Sequence, residues 1–297
     1  MGTRATLRWT SGLVGTAITL ACAAPTDPTA STRPSMALET DAARRYVFSR
    51  ISVPGGSFTA AFGINSKGAI VGNYVGGGVG RGFLLREDVF TTIDVPGSTL
   101  TDPAGINDYG AIVGTYEAGG TFHGFVLREG TFSTIDVPGA AETLAYGINR
   151  QGHVVGITSL SGPHGFLLRE GNVTSIDVPG ASFTEARAIN ALGDVVGSYS
   201  STAVHGFLLR RGTYTTIDVP GATFTEAFGL NDRGDIVGNY ATAGGPRHGF
   251  LLREGRFVSI DFPDASETIP RGINGRGDIV GYYVRQGRLE GFLARRR

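Results

Sequence analysis

The chain is poor in the features that usually announce a function. It has one cysteine, Cys22, so no disulfide can staple the fold. Lys plus Arg is 26 and Asp plus Glu is 26, leaving no net charge. A nucleic acid or an acidic membrane surface as partner would call for a basic excess. The 3.6-residue period of amphipathic helices is missing. No His, Cys or carboxylate cluster has metal-ligand spacing within one unit of the repeat below. G-x-S-x-G, H-E-x-x-H, P-loop and dinucleotide fingerprints are absent, so nothing calls for a cofactor or a metal and no catalytic residue is assigned.

Glycine, by contrast, is abundant, at 47 of 297 residues, without a collagen-type period. It recurs at fixed places in a repeat. Residues Thr213–Gly255 read TYTTIDVPGATFTEAFGLNDRGDIVGNYATAGGPRHGFLLREG, and near-copies fill 47–88, 89–130, 131–171, 172–212, 213–255 and 256–297. Units of this size cannot bury an apolar face alone, so six of them predict one array with a shared core.

The first residues read differently. Arg4 and Arg8 precede a mildly apolar run, Ser11–Leu20, too short to span a bilayer. Small residues follow. Residues 1–23 therefore read as a secretory signal peptide, and the protein is expected to be exported: secreted, periplasmic or on the cell surface. Two processing routes fit. Ala21-Cys22-Ala23 suits A-x-A cleavage, and Cys22 also stands where a bacterial lipoprotein cysteine would stand, making it the lipidation candidate, although Thr19 departs from the usual leucine. A lipid anchor is the only membrane association expected. Residues 24–45, rich in Pro, Thr, Ser and Ala, read as a linker without a core.

Within one repeat, TYTTIDV alternates and is β-branched, hence a strand. Pro220-Gly221 ends it. Ala227–Leu230 is a second strand, Asn231-Asp232-Arg233-Gly234 a hairpin turn, Asp235–Tyr240 a third strand and His248–Arg253 a fourth, closed by the turn Glu254-Gly255. Four short antiparallel strands in about 42 residues predict a propeller blade, and the six copies an all-β, six-bladed β-propeller and a monomer. A β-solenoid is the rival. The chain starts with an outer-type strand, 47–53, and ends with a third-type strand, 291–295. Ring closure would pair them. The same register sets His123, His164, His205 and His248 opposite Asp136, Asp177, Asp218 and Asp261, and Arg81 opposite Asp94. In the last blade it sets Glu290 opposite Ser52, a joint change that ring closure predicts. Recurrence in nearly every blade makes these pairs hairpin clasps rather than charge relays.

The HGF triplets at these four histidines, with the GIN-x-x-G-x-[IV]-V-G runs, resemble the extracellular HAF repeat family of bacterial proteins over 47–297. The family's central alanine is glycine here. The resemblance implies an exported, propeller-like repeat protein and brings no catalytic residues. The Asp-box of sialidase propellers is absent.

Two RGD triplets, at Arg233 and Arg276, fall where only the glycine of a turn recurs, so they read as accidents of a turn. The recurring Asn65, Asn107, Asn149, Asn190, Asn231 and Asn274 would bond their own turns. Gly72 and its five counterparts imply a close backbone or ring approach, with the recurrent Phe83 and its equivalents as candidates.

Function is expected where the copies differ. Just before the fixed G-I-N stand Phe62, Ala104, Tyr146, Arg187, Phe228 and Arg271. Two residues earlier stand Ala60, Asp102, Leu144, Glu185, Glu226 and Ile269. These would ring the channel mouth, with the variable loops Tyr116–Phe122 and Ala241–Arg247 on the same face. Aromatics beside Arg and Glu suit a polar, ring-shaped ligand such as a glycan, or a cell-surface protein. Plain packing between blades is the bland alternative. A hydrolase or lyase acting through Asp102, Glu185 and Glu226 is the alternative function.

Overall fold

The computed structural model describes residues 45–297 except 160 and 161. The expected leader, Cys22 and the linker up to residue 44 lie outside the described residues.

Six four-stranded antiparallel sheets form a β-propeller. The inner strands are Phe58–Ile64, Leu100–Ile106, Thr143–Ile148, Phe183–Ile189, Phe224–Leu230 and Glu267–Ile273, in blades 1 to 6. Each contacts the inner strand before and after it, and the sixth contacts the first, so they enclose an axis. Blades 1 to 5 run in chain order from inner to outer strand. The two-residue turn joining third and outer strands needs positive φ at both positions, met by Glu254 (51°) and Gly255 (77°). Arg253 accordingly pairs with Arg256. In blade 1 the second position is Asp88, at φ 62°.

Blade 6 is completed by the other end of the chain. Strand Tyr46–Ile51 pairs antiparallel with Arg288–Arg296, with Ile51 opposite Gly291 and Tyr46 opposite Arg296. That register continues to Ser52 opposite Glu290, as ring closure required. The four His–Asp clasps form at 2.7 to 3.3 Å, and Arg81 meets Asp94 at 3.5 Å. Blade 6 has its own version. Arg50, two residues before Ser52 on the same face, reaches Glu290 at 2.9 Å, and the Tyr283 hydroxyl donates to the same carboxylate at 2.6 Å. The clasp therefore survives with its charges exchanged between strands.

The six asparagines do more than bond their own turns. In blade 1 the Asn65 side-chain oxygen accepts from the amides of Lys67 and Ala69, at 3.1 and 3.0 Å. Its amide nitrogen donates to the Asn107 carbonyl of the next blade, at 3.1 Å. Asn107, Asn149, Asn190 and Asn231 repeat the donation, and Asn274 closes the circle onto the Asn65 carbonyl at 3.2 Å. This belt links all six blades, and its side chains are buried.

The glycine inside each second strand meets a close approach, as expected. A Cβ on Gly197 would fall inside the carbonyl oxygen of Glu185 and 2.9 Å from Cε1 of Phe207. Both backbone and ring crowd the site. The backbone comes close because every inner strand carries a β-bulge at that height, between Ala61 and Gly63 in blade 1 and at matching places in the others. The buried phenylalanines Phe83, Phe125, Phe166, Phe207, Phe250 and Phe292 pack against that surface. In both RGD triplets the aspartate is turned inward. Asp235 is held by Arg253 at 2.8 Å, and Asp278 by Arg276 at 3.1 Å.

Candidate functional site

The extra residue of each bulge is the variable one. Phe62, Ala104, Tyr146, Arg187, Phe228 and Arg271 each lie between the two inner-strand residues whose pairing shifts. A bulge frees one residue from the ladder and re-aims its side chain. Six bulges around one axis therefore deliver six side chains to one place.

Their contacts run around the ring in blade order. The Arg187 guanidinium lies over Tyr146 at 4.2 Å and over Phe228 at 5.3 Å. Arg271 lies over Phe228 at 4.1 Å and over Phe62 at 5.2 Å. The result is an aromatic–cation belt across blades 3, 4, 5, 6 and 1. Each such contact contributes about 0.5–2 kcal/mol, more when water is excluded. The belt stops at blade 2, where the bulged residue is Ala104.

The second variable position supplies the acids. Glu185 meets Arg187 at 2.6 Å, with both side chains mostly buried. Burial raises the Glu226 carboxyl above its ordinary range; Arg187 opposes that shift and Glu185 adds to it. Burial also raises Asp102, to about 6, against the pull of Arg271, of a hydrogen bond from Asn73 and of Arg187. For Arg187, burial works against the charge, but Glu185, Tyr146 and Glu226 outweigh it and hold the guanidinium above its usual range. Burial and the neighbouring Arg187 lower Arg271. Burial raises the Tyr146 phenol. Groups from blades 2 to 6 thus act on one another across a single axis.

The expected channel-mouth residues are therefore brought together around the axis, with Glu185 and Phe228 buried and the other six half-buried. The bulge places each variable residue two positions before the end of its inner strand. The guanidinium groups also occupy aromatic faces that the sequence offered for sugar stacking. None of the three carboxylates is directed to open solvent; Glu185 is buried and the other two are partly so.

Sequence reasoning missed one contributor. The residue after the tight glycine of the second strand is Asn73, Thr115, Ile157, Ser198, Asn239 or Tyr282, directly across from Ala60, Asp102, Leu144, Glu185, Glu226 and Ile269. Its variation among copies was the available signal. Several buried polar atoms here lack a hydrogen-bond partner: Oδ1 of Asn73, Oδ1 of Asp102, Nε of Arg187, and both side-chain polar atoms of Asn239. Such atoms are expensive to leave unpaired and need an explanation.

Two surface grooves lie elsewhere. One, of about 410 Å³, is lined by Arg210, Arg233, Arg253 and Arg296 with Asp235. The other, of about 770 Å³, runs beside the His164–Asp177 clasp. The Asp235–Arg253 pair of the first groove has a counterpart in Asp194–Arg210, and the His–Asp clasp beside the second recurs in four blades, so both grooves read as scaffold.

No protein-family model matches the sequence, and no curated protein matches it. Among solved structures, a presumed gluconolactonase aligns with TM-score 0.53 and 15% identity, covering 90% of this chain and 97% of its own. TolB from Acinetobacter baumannii aligns with TM-score 0.50 and 14% identity, covering 79% of this chain and 53% of TolB. A streptogramin B lyase aligns with TM-score 0.49 and 10% identity, covering 87% of this chain and 100% of the lyase. At these identities the likeness is one of fold alone.

Proposed function

We propose that this protein is an exported, non-catalytic binding module of the HAF-repeat type, working as a monomer, and that its ligand sits on the propeller axis. The observation that carries this reading is the set of unpaired buried polar atoms. Asn73, Asp102 and Asn239 offer acceptors, while Arg187 and Asn239 offer donors. A ligand bearing several hydroxyls can meet both needs, because each hydroxyl donates and accepts. This favours a glycan on the bacterial or host surface over a purely apolar ligand. Recognition would run through hydrogen bonds, with the aromatic belt as a stiff wall, since Arg187 and Arg271 already stack on Tyr146, Phe228 and Phe62. The leader, with or without lipid on Cys22, would place the module outside the cytoplasm.

A glycan array with the wild-type protein and an Asn239→Leu variant tests the reading. Binding by the wild type, weakened at least tenfold in the variant, is expected. No binding, or binding unchanged by Asn239→Leu, refutes it.

One observation favours a second reading. Asp102 is raised to about 6 while Glu185 is held by Arg187 at 2.6 Å. Glycan-cleaving enzymes set one carboxylic acid, as proton donor, against a second carboxylate. On that reading Asp102 donates the proton and Glu185 or Glu226 takes the other role. Release of shortened products from an array-positive glycan, abolished by Asp102→Ala, would establish it. An intact glycan after prolonged incubation would remove it.

A further inference from the structure

The belt on the axis is an alternation with one member missing. Going round from blade 3 it reads aromatic, cation, aromatic, cation, aromatic: Tyr146, Arg187, Phe228, Arg271, Phe62. The sixth place, in blade 2, would take a cation by this alternation. The chain puts Ala104 there. Alanine leaves the place without a charge and with little bulk, between the two aromatic ends of the belt.

The acid of the same blade is Asp102, two residues from Ala104 on the same inner strand. Its Oδ1 is buried and has no hydrogen-bond partner, and neither has Oδ1 of Asn73 from the adjoining blade. Both orphans are acceptors. The hydrogen bond from Asn73 to Asp102 leaves these two oxygens without a donor, and the belt lacks a cation, in the same sector. Arg187 and Arg271 act on Asp102 only through space, since no ion pair joins either of them to it among the described contacts. Glu185 has its own arginine; Asp102 does not.

We infer that the blade-2 sector of the axis is a binding site for a cationic group, a protonated amine or a guanidinium, carried by the ligand. The cation would fill the place of Ala104, lie between Phe62 and Tyr146, and donate to Asp102 and Asn73. An aromatic cage with a carboxylate is a general solution for such groups, combining ring faces with a desolvated opposite charge. The burial that raises Asp102 fits this assignment, because a bound cation removes the penalty of ionising it. The inference rests on the axis being the binding site. It narrows the ligand to one that carries positive charge, such as an amino-substituted glycan.

The test compares n-butylguanidinium with its neutral isostere n-butylurea, by saturation-transfer NMR on the full chain. The expected result is binding of the cation, at least tenfold weaker binding of the urea, and loss of cation binding in Asp102→Asn. An Ala104→Arg variant gives a readout that needs no ligand. It should fold, unfold at a higher temperature than the wild type, and no longer bind n-butylguanidinium, because its own side chain fills the gap. Equal binding of cation and urea, or cation binding that survives both Asp102→Asn and Ala104→Arg, overturns the inference. The glycan array separates the two failures. Neutral glycans bound in an Asn239-dependent way, with no cation binding, would sink this inference and leave the axial binding module standing. No binding of either kind would sink both.

Discussion

Replacing Asp102 by Asn should make the protein more stable at neutral pH. Asp102 titrates at about 6 in the fold against an ordinary 3.8. Between those values the native state keeps a proton that the unfolded chain releases. The native state is therefore favoured below about pH 4, and that advantage is lost as pH rises through about 6. The shift is about two units, and each unit is worth about 1.4 kcal/mol, so ionising Asp102 in the folded protein costs up to about 3 kcal/mol at pH 7.5. Asparagine is nearly the same shape, keeps the neighbourly contact with Asn73 and cannot ionise. Urea unfolding of both proteins at pH 3.5, 5 and 7.5 measures the difference. Near-equal stability at pH 3.5 is expected, with the variant pulling ahead as pH rises, by about 1–3 kcal/mol at pH 7.5. A variant equal to or weaker than the wild type at pH 7.5 would refute the reasoning, and with it the idea that this carboxylate is held at the expense of stability.

Three further outcomes are expected. Asn274→Ala removes the acceptor of the Arg276 and Asp278 amides and the donor to Asn65; chemical denaturation should show a loss of about 2–4 kcal/mol, from several buried groups left unpaired. Gly197→Ala sets a methyl against the Glu185 carbonyl and Phe207; it should destabilise by about 3 kcal/mol or more, seen as a large drop in melting temperature. Asp88→Gly relieves the one hairpin turn of its kind whose second position is not glycine; a gain of about 0.5–1 kcal/mol in the same assay is expected.

Much of this architecture was legible because each blade repeats local rules. Alternation marked the strands, and Glu254-Gly255 and its equivalents marked two-residue turns. Those turns fixed the register well enough to set His123 against Asp136 before any coordinates. Closure was legible from Glu290 and Ser52 changing together, though the partner that answers Glu290 is Arg50, a diagonal neighbour that strict cross-strand pairing overlooks. The bulges were not legible. Ala61-Phe62 reads as ordinary alternation, and only the backbone pressed against Gly72 reveals the extra residue. The same limit hid the asparagine belt: the turn bonds of Asn65 are local, whereas its donation to Asn107 depends on how close the next blade comes. The positions of Tyr146, Arg187, Phe228 and Arg271 could be singled out by their variation, but their mutual stacking depends on the radius of the ring. Asn73 and Asn239 varied as visibly and were passed over because they share a strand with the tight glycine.

The axial site exists only if the two chain ends meet, and a designed cross-link tests that most directly. Val47 and Arg295 are partners in the closing pair, and both are exposed. In a Cys22→Ser background, Val47→Cys with Arg295→Cys should form a disulfide within single molecules under mild oxidation. Because that bond closes a loop of nearly the whole ring, it should raise stability by up to about 5 kcal/mol. Free thiols, or links only between molecules, would contradict a ring closed by its first strand.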